Sequence, residues 1–316
     1  MKTIFIAGHN GMVGSAVRRS VELYPKEYDL VTESKENLDL TNSKAVHSFI
    51  KINQPDCVVI AAAKVGGIVA NSSYPADFIY ENIMIQTNLM KACLKYHVKQ
   101  VLFLGSSCIY PKECPQPIKE EYLLSDYLEK TNESYAIAKI AGLKMCEAFN
   151  KQFKTDFRSL MPTNLYGAND NFHDLSSHVI PGLMNRMHNA KLNNDSEVVV
   201  WGSGEPMREF LYVDDLAEVI LEVMSIEKEA FFSNLPDNSS HLNVGYGKDI
   251  SIADLSKLIK EVVGFEGEII FDKSKPDGTP RKLLDTSILN NFNIYPKTKL
   301  RDGLKKTYQF YLESNN

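Results

Sequence analysis

The sequence has no excess of positive charge and no long apolar run. Lys and Arg number 35 against 40 Asp and Glu, which gives a net charge of −5 at pH 7. This balance excludes the broad basic surface that binds nucleic acid, so we expect no nucleic-acid partner. No 18 apolar residues follow one another, and the apolar run near the first residue is too short for a secretory signal. We therefore expect no membrane span and no export.

Cysteine is also scarce and scattered. The five cysteines are Cys57, Cys93, Cys108, Cys114 and Cys146, and they form no CxxC pair. This pattern predicts neither a disulfide framework nor a zinc site, so we expect no bound metal. A reducing, cytoplasmic location is the corresponding expectation.

Apolar segments in the first half of the chain alternate with stretches of helical periodicity. The apolar runs cover 3–7, 29–32, 57–62 and 100–104, and a helical pattern such as Ala16, Val17 and Val21 lies between two of them. This alternation predicts an α/β fold with a Rossmann-type, doubly wound parallel sheet. The predicted first domain spans 1–165, with parts of 211–245 returning to it. Shorter segments and polar loops over 166–316 predict a smaller, mixed α/β lobe that packs against it around a cleft.

A glycine-rich segment directly follows the first predicted strand. Residues 8–14 read GHNGMVG, the pattern GxxGxxG, and they open the first predicted helix. In this context Gly8 permits a tight turn, Gly11 a close approach to a pyrophosphate, and Gly14 close packing of the helix on its strand. The N–H groups at the start of the helix favour an anion. We therefore predict a dinucleotide site rather than a glycine-rich turn without a ligand.

The residues at the end of the second predicted strand help to determine which dinucleotide binds. Some of them favour NAD and others favour NADP. Glu33 lies 19 residues beyond Gly14, near the distance at which an acidic residue binds the ribose 2′-hydroxyl of NAD. Ser34 and Lys35 are suited instead to the 2′-phosphate of NADP. These residues leave both cofactors open. Further along, we expect Asp39 and Leu40 beside the adenine and Ala62 and Lys64 beside the middle of the cofactor, with a solvated loop as the alternative.

Tyr135 and Lys139 form a YxxxK pattern in a predicted helix, where positions i and i+4 share one face. A nearby ammonium favours the phenolate of a tyrosine, whose pKa is otherwise near 10, and Lys139 can also bind the nicotinamide ribose. Ser106 ends the fourth predicted strand and faces the same crevice. Taken alone, the YxxxK pattern could also be an ordinary exposed tyrosine and lysine on a helix. The glycine turn upstream argues against this alternative.

The three motifs together resemble those of the extended short-chain dehydrogenases/reductases. More specific segments are similar to the GDP-L-fucose synthases along nearly the whole chain: SSCIYP at 106–111, MPTNLYG at 161–167, WGSG at 201–204, REF at 208–210 with VDD at 213–215, and KPDGTPRKLLD at 275–285. The resemblance implies a homodimeric, NADPH-dependent 3,5-epimerase and 4-reductase. Such enzymes make GDP-L-fucose from GDP-4-keto-6-deoxy-D-mannose.

The resemblance also implies roles for individual residues. Ser106, Tyr135 and Lys139 serve reduction, while Cys108 and His178 are the base and acid of epimerisation. A small buried thiol and a structural histidine are the alternatives for the last two. Because Cys108 lies two positions after Ser106, an extended strand end is expected to project both to one side. The residues implied to bind NADPH are Gly8, His9, Asn10, Gly11, Met12, Val13, Gly14, Lys35, Asp39, Leu40, Ala62, Lys64, Leu104, Gly105, Ser106, Ser107, Tyr135, Lys139, Pro162, Thr163, Asn164, Leu165 and His178.

Substrate-binding residues are implied in the second lobe. On a protein of negative net charge, local cations have to attract a diphosphate, and Arg208 and Arg186 are the candidates. Trp201 and Asp277 complete the implied set. The alternatives are a solvated helix face for Arg186, a core position for Trp201 and a turn-shaping role for Asp277.

The sequence departs from its relatives near the 2′-phosphate of the cofactor. Asn10 and Lys35 stand where relatives often carry arginine, and lysine lacks the planar fork of arginine. NADPH is still the expected cofactor, with weaker discrimination against NADH. Two other functions stay open. An NAD-retaining nucleotide-sugar epimerase or dehydratase has the same fold, although Cys108 and His178 argue against it. The other is a non-catalytic NADP-sensing protein. The presence of Ser106, Tyr135 and Lys139 together argues against it.

Overall fold

The structure is a computed structural model that describes residues 1–173, 177–275 and 277–314. Parts of three sequence predictions lie outside the described residues. These are positions 174–176 of the polar loop before His178, Pro276 of the 275–285 segment, and positions 315–316 of the second predicted lobe.

Strands and helices alternate along the first half of the chain, as predicted. In chain order they are β1 (Lys2–Ala7), α1 (Met12–Glu22), β2 (Tyr28–Val31), α2 (Ser43–Asn53), β3 (Cys57–Ile60), α3 (Ile68–Ser73), α4 (Pro75–Lys95), β4 (Gln100–Leu104), α5 (Glu133–Phe153) and β5 (Phe157–Pro162). The second half contains β6 (Asn164–Tyr166), α6 (Val179–Asn193), β7 (Glu197–Trp201), β8 (Met207–Tyr212), α7 (Val213–Ser225), α8 (Lys228–Ser233), β9 (His241–Val244), β10 (Asp249–Ser251), α9 (Ile252–Val263), β11 (Glu268–Asp272), β12 (Arg281–Lys282), α10 (Ser287–Asn291) and α11 (Leu300–Ser314).

The central sheet has six parallel strands in the order β2-β1-β3-β4-β5-β9. The α/β class and the Rossmann-type parallel sheet are therefore confirmed. The winding direction changes between β1 and β3, and ligands of such sheets bind outside the carboxyl ends of the strands at this switch point. The strand order thus places the glycine turn after β1 beside the main candidate crevice.

Helices cover both faces of the sheet because its strands carry apolar side chains on both sides. One core joins Ile4 and Ile6 of β1 to α1 and α7, and a second joins Phe5 to α2, α4 and α5. Ala16 and Val17 of the predicted helical pattern are fully buried in the first core. The strands therefore form the rigid layer from which the loops of the site project.

The second half of the chain contributes to two regions. β9 joins the central sheet and α7 packs on its face, while α6, α9 and α11 enclose a third core around Met184, Ile259 and Leu304. Outside the central sheet, β8 pairs with β6, β10 and β12, and β7 pairs with β11. The predicted domain boundary itself stays a prediction.

The described residues were compared with the expectations of no membrane span and no bound metal. None of their helices has the length and apolar character needed to cross a membrane. In the same part of the chain, no group of three or more His, Cys, Asp or Glu side chains is arranged to hold a metal ion.

Candidate active site

The glycine turn after β1 depends on two of its glycines for its shape. Gly8 has a φ of +89°, and a Cβ there would lie 2.6 Å from the backbone nitrogen of Ala62. A Cβ on Gly14 would lie 2.0 Å from the carbonyl oxygen of Gly8. Backbone packing therefore requires glycine at both positions.

Gly11 is different, because the protein itself leaves room beside it. The nearest atom to a Cβ on Gly11 would be the carbonyl oxygen of Gly8, at an ordinary contact distance of 3.5 Å. Gly11 also precedes α1, and no side chain caps the N-terminus of this helix or places an acid in its first turn. The open backbone and the helix N-terminus fit a dinucleotide diphosphate, which the predicted residues Gly8 to Gly14 would hold.

The other predicted cofactor residues follow the carboxyl ends of neighbouring strands. Lys35, Asp39 and Leu40 come after β2, Ala62 and Lys64 after β3, Leu104 to Ser107 at the end of β4, and Pro162 to Leu165 at the end of β5 and in β6. Parallel neighbours end at the same edge of a sheet, so these segments border one crevice. At the end of β5, Asn164 Nδ2 donates to the carbonyl oxygen of Glu209 at 2.8 Å and thereby ties the crevice to β8.

Lys64 is held by carboxylates of α4. Its Nζ lies 3.0 Å from Asp77 Oδ2 and 2.6 Å from Glu81 Oε1, and its backbone nitrogen donates to Asn82 Oδ1 at 2.9 Å. These contacts fix the segment after β3 at the crevice. The ammonium is neutralised within the protein, so Lys64 would contribute mainly through its backbone.

Tyr135 and Lys139 lie one turn apart on α5, as the YxxxK pattern predicts. Lys139 is 3% exposed, and its Nζ donates to the carbonyl oxygen of Leu104 at 2.7 Å. The same ammonium lies 5.8 Å from the centre of the Tyr135 ring. The tyrosine hydroxyl is hydrogen-bonded to Ser106, so the three predicted reductase residues meet at the end of β4.

The charge states of this pair differ from the expectation. Burial raises the pKa of Tyr135, the nearby Cys108 raises it further, and the hydrogen bond to Ser106 opposes the rise. Burial also lowers the pKa of Lys139 to about 7. Lys139 by itself therefore does not drive Tyr135 toward the phenolate in this structure, because desolvation disfavours both charged forms. Tyr135 is instead a neutral phenol that can donate a hydrogen bond or a proton.

Cys108 also lies beside Tyr135, but the backbone conformation that places it there differs from the predicted one. The chain turns into a 3-10 helix at Ser107–Ile109, so Ser106 and Cys108 do not share an extended strand end. Ser106 instead caps this turn, because its Oγ accepts a hydrogen bond from the Cys108 backbone nitrogen at 3.2 Å. The prediction of an extended geometry was wrong, since the capping serine favours a turn. The thiol still lies near Tyr135 and is half-buried.

Lys282 is a neighbour of Cys108 that the sequence analysis missed. Its Nζ lies 3.6 Å from the Cys108 sulfur. Lys282 is on β12, where it lies opposite Arg208 of β8 in a parallel pair. The lysine belongs to the quoted 275–285 segment, which is the one sequence signal that could have identified it. It connects the thiol to the strand that carries the predicted substrate arginine.

Arg208, Trp201 and Asp277 form a second group beside β12. Trp201 is 62% exposed, which excludes the core position considered for it. Asp277 Oδ1 accepts a hydrogen bond from the Ser203 backbone nitrogen at 2.6 Å, so it ties two distant loops together rather than shaping only its own. Arg208 is half-buried, and burial lowers its pKa while the charge of Asp277 opposes this. Asp277 thus links the loop after Trp201 to the guanidinium of Arg208.

Arg186 and His178 both belong to α6. Arg186 is half-buried and donates from Nη1 to the carbonyl oxygen of Val199 at 2.7 Å. That contact holds it against β7, which ends at Trp201. His178 is the N-cap of α6 and is exposed to solvent, although desolvation by the surrounding protein lowers its pKa. Its imidazole is therefore neutral at pH 7.

Glu209 supports the structure of the site, and the sequence analysis did not predict it. It is 0% exposed, and its carboxylate accepts hydrogen bonds from the backbone nitrogens of Gly247 at 2.6 Å and Leu284 at 3.0 Å. Burial raises its pKa, while these backbone donors oppose the rise. Because Glu209 adjoins Arg208 and Leu284 follows the Lys282 strand, this carboxylate fixes the positions of both cations.

Carbonyl reduction needs a bound dinucleotide and hydrogen-bond donors for the carbonyl oxygen, and the edge of this sheet brings the two together. Proton transfer at the neighbouring carbon atoms needs a base, and the thiol of Cys108 lies next to those donors. The fold and the site therefore define a nicotinamide-dependent epimerase or reductase of the short-chain type.

Comparisons with known proteins give the same class and a narrower family. The model of the NAD dependent epimerase/dehydratase family matches residues 4–243. GDP-L-fucose synthase of Escherichia coli (strain K12) is 53% identical over 313 residues, which cover 99% of this chain and 97% of that protein. GDP-L-fucose synthase 1 of Arabidopsis thaliana is 52% identical over 311 residues, covering 98% and 93%. The chain belongs to the NAD dependent epimerase/dehydratase family and, within it, to the GDP-L-fucose synthases.

A solved structure with bound cofactor is also similar to this chain. It is described as MlghC, a GDP-mannoheptose C4 reductase from Campylobacter jejuni with NADP bound. The sequence identity is 36%, the TM-score is 0.90, and the match covers 98% of each chain. This similarity extends over the sheet, the crevice and the second half of the chain together.

Proposed function

We propose that this protein converts GDP-4-keto-6-deoxy-D-mannose to GDP-L-fucose, by epimerisation at C3 and C5 followed by NADPH-dependent reduction at C4. The observation that carries the proposal is the meeting of two kinds of group at the end of β4. A reductase set of Ser106, Tyr135 and Lys139 lies beside a thiol that a plain reductase does not need. The GDP-L-fucose synthases among its relatives support the same substrate.

Both reactions place negative charge on one oxygen, that of the C4 ketone. Removing a proton from C3 or C5 gives an enolate, and adding hydride to C4 gives an alkoxide. The hydroxyls of Tyr135 and Ser106 are hydrogen-bonded to each other and can donate to that oxygen in either state. Donors placed in this way stabilise such charge by about 3–4 kcal/mol each. One polar cluster therefore serves both stages.

Epimerisation needs a base on one face of the sugar and an acid on the other. In our proposal the Cys108 thiolate, held at 3.6 Å by Lys282, takes the proton from carbon, and His178 returns one to the opposite face. His178 is exposed to solvent and takes the proton that it delivers from water. Because its pKa is lowered, the imidazolium releases that proton readily, and the Cys108 thiol returns its proton to water before the next turnover. The net change is inversion at that carbon with no gain or loss of atoms.

Reduction uses the same phenol as a proton donor. NADPH, when bound, supplies the hydride that C4 receives. Tyr135 then gives its proton to the C4 oxygen, which a neutral phenol with a raised pKa is prepared to do when an alkoxide forms. The ammonium of Lys139, whose pKa is about 7, is a stronger acid than Tyr135 and can replace that proton. The residues that would hold NADPH are those of the glycine turn and of the strand ends described above.

Substrate binding relies on local cations, since the chain has a net charge of −5. We propose that Arg208 and Arg186 bind the diphosphate and that Trp201 and Asp277 bind the nucleoside. The exposed face of Trp201 and the half-buried guanidinium of Arg208 suit these roles. We also propose that the enzyme is a homodimer, and exposed apolar side chains on two adjacent helices, Tyr80 of α4 and Ile137 of α5, support a helical interface. A cytoplasmic location is proposed from the five free cysteines.

The proposal is tested by incubating the purified protein with the 4-keto sugar and NADPH. We expect stoichiometric NADPH oxidation, measured by absorbance, and GDP-L-fucose as the product, identified by NMR. Turnover without net NADPH oxidation would favour an NAD-retaining epimerase or dehydratase. Binding of NADPH without turnover of any keto sugar would favour a sensing protein. Size-exclusion chromatography with light scattering tests the dimer.

A further inference from the structure

The segment that follows β2, residues 33–39, carries more negative than positive charge. We call it the ribose corner, because the residues after the second strand of such folds bind the adenosine ribose. It contains Glu33, Glu36 and Asp39 but only one cation, Lys35. The pKa values of all three carboxyls are lowered, so all three are ionised at pH 7. The ribose corner is therefore acidic at the position where a 2′-phosphate would bind.

Lys35 is exposed, and its charge is already shared within the ribose corner. The ammonium contributes to lowering the pKa of both Glu36 and Asp39. A second nearby position, Asn10 of the glycine turn, is exposed and carries no charge. A phosphate bearing close to two negative charges would thus meet three carboxylates and one solvated ammonium.

Glu33 has the position and the geometry to bind a hydroxyl instead. It lies two residues beyond β2, whose Val31 pairs with Phe5 of β1, so in continuation of that register it lies beside the glycine turn. His9 of that turn is close enough to help lower the pKa of Glu33. The carboxylate is fixed by hydrogen bonds from Ser34 N at 2.9 Å and Asn37 Nδ2 at 3.0 Å.

These hydrogen bonds also use donors that a phosphate would need. The backbone N–H of Ser34 and the amide of Asn37 are directed at Glu33 Oε1. An acidic residue about 20 positions after the glycine turn is the group that accepts a hydrogen bond from the ribose 2′-hydroxyl in NAD-binding folds. The ribose corner is therefore organised around a carboxylate that attracts a hydroxyl and repels a phosphate.

We infer that this protein binds NADH with an affinity comparable to that for NADPH, and that Glu33 is the residue that sets this relaxed cofactor choice. The inference rests on the proposed function for the use of a nicotinamide cofactor, and it concerns only the adenosine end of that cofactor. It follows that hydride for the C4 reduction can come from either pool of reduced dinucleotide.

The test is equilibrium binding of NADH and of NADPH to the purified protein, followed by the change in nicotinamide fluorescence without any sugar substrate. We expect the two dissociation constants to differ by less than about tenfold. In Glu33→Gln, which keeps the size of the side chain and removes its charge, we expect the preference to move toward NADPH by about tenfold. Glu33→Arg, a second variant at this exposed turn, is expected to move it further in the same direction.

Glu36→Gln is the matched control. It removes one negative charge from the same segment, but Glu36 is not the residue that we expect to hydrogen-bond to the ribose. We expect it to change the ratio of the two dissociation constants by less than about threefold. A wild-type preference for NADPH above about a hundredfold would overturn the inference, as would an unchanged ratio in both Glu33 variants. Either result leaves the proposed reaction intact, whereas failure to bind both dinucleotides would contradict the proposed function as well.

Discussion

The ammonium of Lys282 lies 3.6 Å from the sulfur of Cys108, although 174 positions separate the two residues. The contact exists because β12 pairs with β8 and thereby brings Lys282 to the residues that follow β4. A cation at this distance stabilises a thiolate, which is the form of cysteine that accepts a proton. We therefore assign Lys282 a positioning role in epimerisation.

Replacing Lys282 is expected to slow proton exchange more than hydride transfer. A hydrogen bond to a charged group contributes about 1.5–3 kcal/mol. In Lys282→Met we thus expect solvent deuterium incorporation at C3 and C5 to fall roughly ten- to a hundredfold. Mass spectrometry and NMR of the recovered sugar measure this rate.

Lys112→Met is the control for that variant. Lys112 lines the same cavity as Lys282 and Cys108, but its Nζ pairs with Glu129 at 3.0 Å. We expect deuterium incorporation close to that of the wild type. Equal losses in the two lysine variants would remove Lys282 from its assigned role.

The local motifs of this site were predictable from the sequence, and its long-range contacts were not. The glycine turn and the Tyr135 and Lys139 pair depend on spacing within one turn or one helix, and the structure places them as predicted. Lys282 and Glu209 depend on which strands pair outside the central sheet, which composition and periodicity do not encode. The charge state of Tyr135 also escaped prediction, because burial outweighs a neighbouring cation and is known only from the fold.

Tyr135→Phe and Cys108→Ser are expected to separate the two chemical stages. The first variant removes the proton donor for the C4 oxygen, so we expect NADPH oxidation to fall by at least about a hundredfold. The second keeps the hydroxyls of Ser106 and Tyr135, and we expect it chiefly to slow deuterium entry at C3 and C5. Each variant is measured in both assays, NADPH absorbance and NMR of the sugar. Unchanged deuterium incorporation in Cys108→Ser would show that another group is the base.

Lys139 should make the stability of the protein depend on pH. The unfolded chain keeps the lysine protonated up to its ordinary pKa of about 10.4, whereas the folded protein releases the proton near a pKa of about 7. The unfolded state therefore binds more protons between these values, and stability rises with pH across that window. Below it, folding carries the full cost of burying the ammonium, which is about 5 kcal/mol.

Lys139→Met removes this titration. Relative to the wild type, its free energy of unfolding should be most favourable near pH 6 and should lose that advantage by about pH 10.5. Loss of the hydrogen bond to Leu104 adds a destabilisation that is independent of pH. Urea unfolding at a series of pH values measures the difference. Lys151→Met, at an exposed position of the same helix, is the control, and a parallel pH trend in both variants would contradict the explanation.

Gly11 and Gly14 are expected to fail in different ways when replaced by alanine. A methyl group on Gly14 would lie 2.0 Å from the carbonyl oxygen of Gly8, so Gly14→Ala should destabilise the turn and lower the melting temperature. On Gly11 the nearest protein atom would be 3.5 Å away, so Gly11→Ala should fold with an unchanged melting temperature. Its methyl group would instead occupy the space where the backbone meets the diphosphate, and we expect both NADH and NADPH to bind at least about tenfold more weakly. Fluorescence titration and thermal unfolding of the two variants distinguish these effects. Wild-type affinity in Gly11→Ala would place the diphosphate elsewhere in the crevice, because no other consequence of that methyl group is expected from the packing around it.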